Sequence, residues 1–111
     1  MNFGDIPVTI PGATLRLGGR ELTLAPTPLG CMDVAGIVMQ GVKDGNWADY
    51  TKALITVIHA GLRRNHPDIT PEFVGDNIDF ANYKEVLDAF MLANKFTKTE
   101  GQPSGEASAS Q

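Results

Sequence analysis

Apolar residues alternate with polar ones from Ala13 to Leu24 and then, from about Leu29 onward, recur at intervals of three or four. The first spacing is that of a half-buried β-strand, the second that of a helix with one wet face. Gly18-Gly19 interrupts the alternating stretch at its middle, and two consecutive glycines suit a two-residue hairpin turn with positive φ at both positions. Pairing across that turn sets Leu15 opposite Leu22 and Arg16 opposite Glu21. Ala13, Leu15, Leu17, Leu22 and Leu24 then share one face, with Arg20 near the tip as the exception. Thr14, Arg16, Glu21 and Thr23 share the other. A lone hairpin is unstable, so the apolar face must dock on helices or on another chain. Val8 to Ile10 predicts a short edge strand ahead of it, bracketed by Pro7 and Pro11.

Pro26 and Pro28 end the hairpin because neither can continue a ladder. A helix over about 29–40 follows, mostly apolar through Leu29, Met32, Ala35, Ile37 and Met39, so that two of its faces are candidates for cover. Gly36 weakens it by ~1 kcal/mol relative to alanine. The polar, glycine-containing segment Gly41 to Asn46 connects it to a second helix over 47–64. There Trp47, Tyr50, Leu54, Ile58 and Leu62 form one stripe, widened by Ala53, Val57 and Ala60.

The stretch Arg63 to Lys95 carries two helix-start signals. Thr70 precedes Pro71, which gives a hydroxyl cap and a residue with no amide to satisfy, and Ile69 with Val74 forms a hydrophobic staple. Asn82 with Glu85 reads as a capping box. Helices over 71–78 and 83–96 are predicted, the first presenting Phe73, Val74 and Ile78 and the second Tyr83, Val86, Leu87, Phe90 and Met91. After Phe96 no large apolar residue occurs, and residues 97–111 cannot offset their ordering entropy, so a flexible tail is expected. The predicted fold is mainly α: one globular domain over residues 1–96, with four helices and an N-terminal β-hairpin over 8–24, then the disordered C-terminal tail.

Length and composition narrow the function classes. The 111 residues suffice for one small core, and the 42% hydrophobic content supports folding. Net charge is −4 and the basic residues stand singly except for Arg63-Arg64, so a phosphate backbone is a poor partner. Those two arginines suit the end of a helix, where cations complement the dipole. The single cysteine, Cys31, excludes an intrachain disulfide and is expected as a small core residue. The start of the chain has neither a basic nor an apolar leader region, and no apolar run nears the ~18 residues of a membrane span, so a cytoplasmic location with no membrane partner is expected.

Candidate chemistry is sparse. His59 and His66 are seven apart and lack the paired, closely spaced ligands of a zinc site, and His66 reads as a solvated loop residue. Asp68, Glu72, Asp76, Asp79, Glu85 and Asp88 cluster in sequence, but their places at helix starts and wet faces favour dipole complementation over acid–base catalysis. Gly18-Gly19 lacks the surroundings of a phosphate loop. No metal, no cofactor and no enzymatic activity are expected. Met32, Met39, Phe90, Met91 and Phe96 are the candidate partner-binding residues, since flexible apolar side chains can grip varied helical partners, although helix-spaced methionines are more often plain core.

The hairpin leading from Leu15 through Gly18-Gly19-Arg20-Glu21-Leu22 and Pro26-Thr27-Pro28 to Gly30, together with the ending His66 to Asn94, resembles the tail assembly chaperones of long-tailed bacteriophages. The ending is the more specific half, with Thr70-Pro71-Glu72, Asp79-Phe80-Ala81-Asn82 and Glu85-Val86-Leu87 in order. The resemblance spans roughly Ala13 to Asn94. It implies a non-catalytic protein that binds the helical, aggregation-prone tape measure protein in the host cytoplasm, assists tail-tube assembly and is absent from the mature virion. It also implies a mainly helical fold, self-association, and in many members a longer frameshifted form reaching the tail-tube subunits, for which Thr97 to Gln111 is the point of attachment. It carries no compact binding motif. Two other readings stand beside it: a small structural tail or head–tail connector protein retained in the virion, and a helix-turn-helix DNA-binding regulator. Glu72, Asp76 and Asp79 oppose the last, because they would face phosphate.

Overall fold

The computed structural model describes residues 9–96. Strands β1 (Ala13–Leu17) and β2 (Arg20–Leu24) pair antiparallel, with Leu15 opposite Leu22 and Arg16 opposite Glu21. Gly18 and Gly19 take φ of 58° and 77°, a pair that twists the strands in their natural sense. An added Cβ at Gly18 would stand 3.0 Å from the Phe73 ring, so the turn is seated on the helix that carries Phe73.

Four helices follow: α1 (Met32–Gln40), α2 (Trp47–Leu62), α3 (Pro71–Asn77) and α4 (Tyr83–Ala93), with a single 3-10 turn at Leu29–Cys31 leading into α1. The mainly helical class with an N-terminal hairpin is thus the observed architecture. The hairpin lays its apolar face on α2 and α4, α1 packs along α2, and α3 closes the other side of α2. Ala13, Leu15, Leu17, Leu22 and Leu24 are all buried, and they join Leu54, Val57, Ile58, Leu62, Val86 and Phe90 in one core. The α2 stripe is buried from Tyr50 to Leu62 as its spacing predicts, whereas Trp47 at its start stays 39% exposed.

The helix ends show which local signals prevailed. The Thr70 hydroxyl accepts from the Phe73 amide at 3.1 Å, and Ile69 and Val74 are both buried, as the cap and staple predict. Asn46 caps α2, accepting from the Asp49 amide at 3.2 Å while its own amide donates to the Asp49 carboxylate at 2.8 Å. The capping box at Asn82 does not form. Asp79 opens the corner instead, its Oδ1 accepting from the Ala81 and Asn82 amides at 2.9 Å each. A turn is therefore already wound before α4, and Asn82 lies within it. Its side chain accepts from the Asp79 amide and donates to the Asn77 carbonyl, both at 2.8 Å, which ties α4 back to α3.

Three other expectations change. Asn94 follows the last residue of α4, and Lys95 takes a left-handed φ of 60° that lets Phe96 donate to Met91 and Lys95 to Leu92, a helix-closing pattern usually built on glycine. The helix predicted to Phe96 ends there. Ile10 belongs to no strand: the Asn65 side chain accepts from its amide at 2.6 Å and donates to its carbonyl at 2.9 Å, taking the place of a neighbouring strand. Val8 and residues 97–111 lie outside the described residues. His66 is half-buried, its Nε2 accepting from the Thr23 amide at 3.0 Å, and Asn65 donates to the Thr23 carbonyl at 3.2 Å. The outer edge of β2 is thereby covered by side chains of the α2–α3 loop.

Candidate partner-binding surface

The five residues proposed from sequence differ widely in exposure. Phe90 is fully buried, among the largest side chains of the core, and is excluded as a partner contact. The hairpin covers the face of α4 that carries it, a cover that helical spacing cannot reveal. Met91 is half-buried against the same core. Phe96 is 46% exposed and meets the edge of Phe90 at 6.0 Å between centroids. Met32 and Met39, 62% and 48% exposed, lie two turns apart on one face of α1. Among the described residues α1 packs chiefly on α2, and Val38 alone of its residues is fully buried. Cys31, expected in the core, is half-exposed in the turn before α1.

A different set of residues converges. Trp47 at the start of α2 meets Tyr50 at 6.0 Å, Tyr83 at 5.7 Å and Phe80 at 5.1 Å between centroids, each edge-on. Edge-to-face contact aligns the positive rim of one ring with the negative face of the next. Phe80 projects from the Asp79 corner and is 77% exposed. These four rings line a cleft of about 250 Å³ whose aliphatic floor is Leu54, Ile55 and Ile78. Gly75 lets α3 come close to α2 here, because an added Cβ would lie 3.3 Å from the Ile55 methyl. Among the described residues, Asp79 is the one charged side chain on the wall.

Burial raises the pKa of Tyr50 above the ordinary tyrosine value, with the neighbouring Tyr83 adding to the effect. The phenol therefore stays neutral, and the cleft presents aromatic and aliphatic surface with hydroxyl groups at its edge. Trp47, Tyr50 and Tyr83 also line a second hollow that continues toward Val42 and Leu87. The signal that could have announced this site is Phe80, a large apolar residue in a polar corner between helices, together with aromatic residues at the first turns of α2 and α4.

The other polar residues hold structure. His59 Nε2 donates to the Ile69 carbonyl at 3.1 Å, Arg64 donates to the Pro26 carbonyl at 2.8 Å, and Arg20 pairs with Asp68 at 3.0 Å. The Arg20 hydrogen bond holds the Asp68 carboxyl below its ordinary value. Among the described residues, no group of three or more His, Cys, Asp or Glu side chains could hold a metal ion, and no helix is long and apolar enough to cross a membrane. In comparisons with known proteins, no family model, curated protein or solved structure matches the chain.

Proposed function

We propose that this chain is a non-catalytic tail assembly chaperone of a long-tailed bacteriophage. In this reading it holds the tape measure protein soluble in the host cytoplasm while tail-tube subunits assemble around it, and it leaves before the virion is complete. The observation that carries the proposal is the exposure of large apolar side chains beside a closed core: Leu29 at 80%, Phe80 at 77%, Met32 at 62% and Trp47 at 39%. Of these, Trp47 and Phe80 meet at the cleft, and a contiguous apolar patch of this kind suits a partner's surface. The cleft's rings and aliphatic floor suit apolar side chains of such a partner, and the order of motifs from His66 to Asn94 supports the family assignment. Arg64 is engaged by Pro26, and Glu72 and Asp76 stand exposed on α3, which gives the DNA-binding alternative no support.

Co-expression with the tape measure protein tests the proposal. The soluble fraction of that protein is expected to rise severalfold with this chain present, and the two should co-purify. Equal insolubility with and without the chain would remove the chaperone reading. Detection of the chain in purified, mature particles would favour the structural-protein alternative.

A further inference from the structure

We infer that the Trp47–Phe80 cleft and the hollows continuous with it form a docking groove for a basic amphipathic helix. The inference rests on the proposed function only for the identity of the protein that supplies this helix.

Three observations select that occupant. The first is extent. The main cleft shares Trp47, Tyr50 and Tyr83 with the hollow running toward Leu87, and Tyr50 also borders a third hollow below Gly41. Neighbouring hollows that share wall residues suit an extended ligand better than a compact one. The second is hydrogen bonding. The main cleft is walled by side chains of α2, the α3–α4 corner and the start of α4, and no strand residue lines it, so an extended peptide would leave its backbone groups unpaired. A helix satisfies its own backbone and places apolar side chains at three- and four-residue intervals against the rings.

The third is charge. Asp79 lines the cleft with no basic residue beside it, Asp88 lines the second hollow with Lys84, and Asp44 and Asp49 line the third with Lys43. Taken over the three hollows together, four carboxylates stand against two ammonium groups. Lys43 is moreover turned to Gln40, its amino group 3.4 Å from the amide oxygen. An apolar helix face flanked by lysine or arginine fits this rim, and long basic side chains gain further by lying across exposed aromatic rings.

Trp47 is the single tryptophan of the chain, so its emission reports directly on the groove. The full chain is titrated with a synthetic helical peptide bearing leucines on one face and lysines on the other, and with a companion in which glutamates replace the lysines. A saturable change in Trp47 emission is expected with the lysine peptide, and binding at least about tenfold weaker with the glutamate peptide. Phe80→Ala should weaken the lysine peptide by about tenfold or more while the thermal melt stays near that of the parent, because this side chain is 77% exposed. Asp88→Lys, on the exposed face of α4, supplies an independent variant that should weaken the lysine peptide and strengthen the glutamate one. No saturable change, equal binding of both peptides, or full binding by Phe80→Ala would each overturn the groove.

Co-expression separates the two proposals. If the two peptides bind equally or not at all while the parent chain keeps the tape measure protein soluble, the groove assignment falls and the chaperone reading survives. If the peptides behave as expected but the parent chain does not solubilise the tape measure protein, the groove stands and the chaperone reading falls.

Discussion

Gly61 and Lys95 show from opposite sides what a side chain costs where the backbone leaves no place for it. At Gly61 an added Cβ would stand 2.7 Å from the Ala25 carbonyl oxygen and 2.7 Å from a Leu24 methyl, and the Gly61 carbonyl accepts from the Ala25 amide. Alanine would ordinarily stabilise a helix interior by about 1 kcal/mol. Here a backbone oxygen must move, and overpacking of that kind costs about 1–3 kcal/mol, so Gly61→Ala should lower stability by about 1 kcal/mol in denaturant unfolding. Lys95 poses the opposite case, an L side chain at φ 60° where glycine is at ease. Lys95→Gly should raise stability by about 0.5–1 kcal/mol in the same measurement, because relief of the left-handed strain outweighs the added freedom of the unfolded chain. Neither effect is legible in the sequence: Gly61 reads as a weak spot in a helix, and Lys95 as part of a longer one.

At the scale of elements, what joins hairpin to helices is a set of long-range polar ties around an apolar contact. Asn65 bonds both backbone groups of Ile10 and the Thr23 carbonyl, His66 takes the Thr23 amide, and the Asn94 side chain accepts from the Thr27 amide at 2.7 Å. Asn65→Ala should cost about 1–3 kcal/mol, since it leaves three half-buried groups unpaired. Amide hydrogen exchange separates this from a general loosening. The Ile10 amide should lose protection, whereas the Thr23 amide, held by His66, should keep most of its own. The elements themselves were readable, because the two-residue period, the glycine pair and the Thr70-Pro71 start are local signals. The ties were not, since each joins residues more than forty positions apart. The Asn82 capping box misled for a related reason: the same side chain had a better partner in the Asn77 carbonyl across the corner.

For the molecule as a whole, the cleft couples surface to stability through Tyr50. Its neutral phenol is favoured by burial, so its folded-state pKa lies above the ordinary 10.0. The sign follows directly. The contribution is fully present below that ordinary value and is lost as pH rises through the raised one. Ultraviolet titration should show one of the two tyrosines ionising late, and unfolding midpoints should fall on the alkaline side. A bound helix that covers the cleft should delay the ionisation further.

Sequence by itself determined the mainly helical class, the hairpin and its register, the approximate helix limits, and the strand and helix faces that had to be apolar. Those follow from backbone periodicity and from caps a few residues long, which act within one element. It could not determine which apolar faces would find cover. Phe90 and Met32 look alike as helix-spaced apolar residues, yet the hairpin shields the first and nothing among the described residues shields the second. Nor could it bring Trp47 to Phe80, thirty-three positions further along the chain, because their meeting depends on how α2, α3 and the Asp79 corner pack together. Burial is a property of neighbours, and only the tertiary structure supplies them.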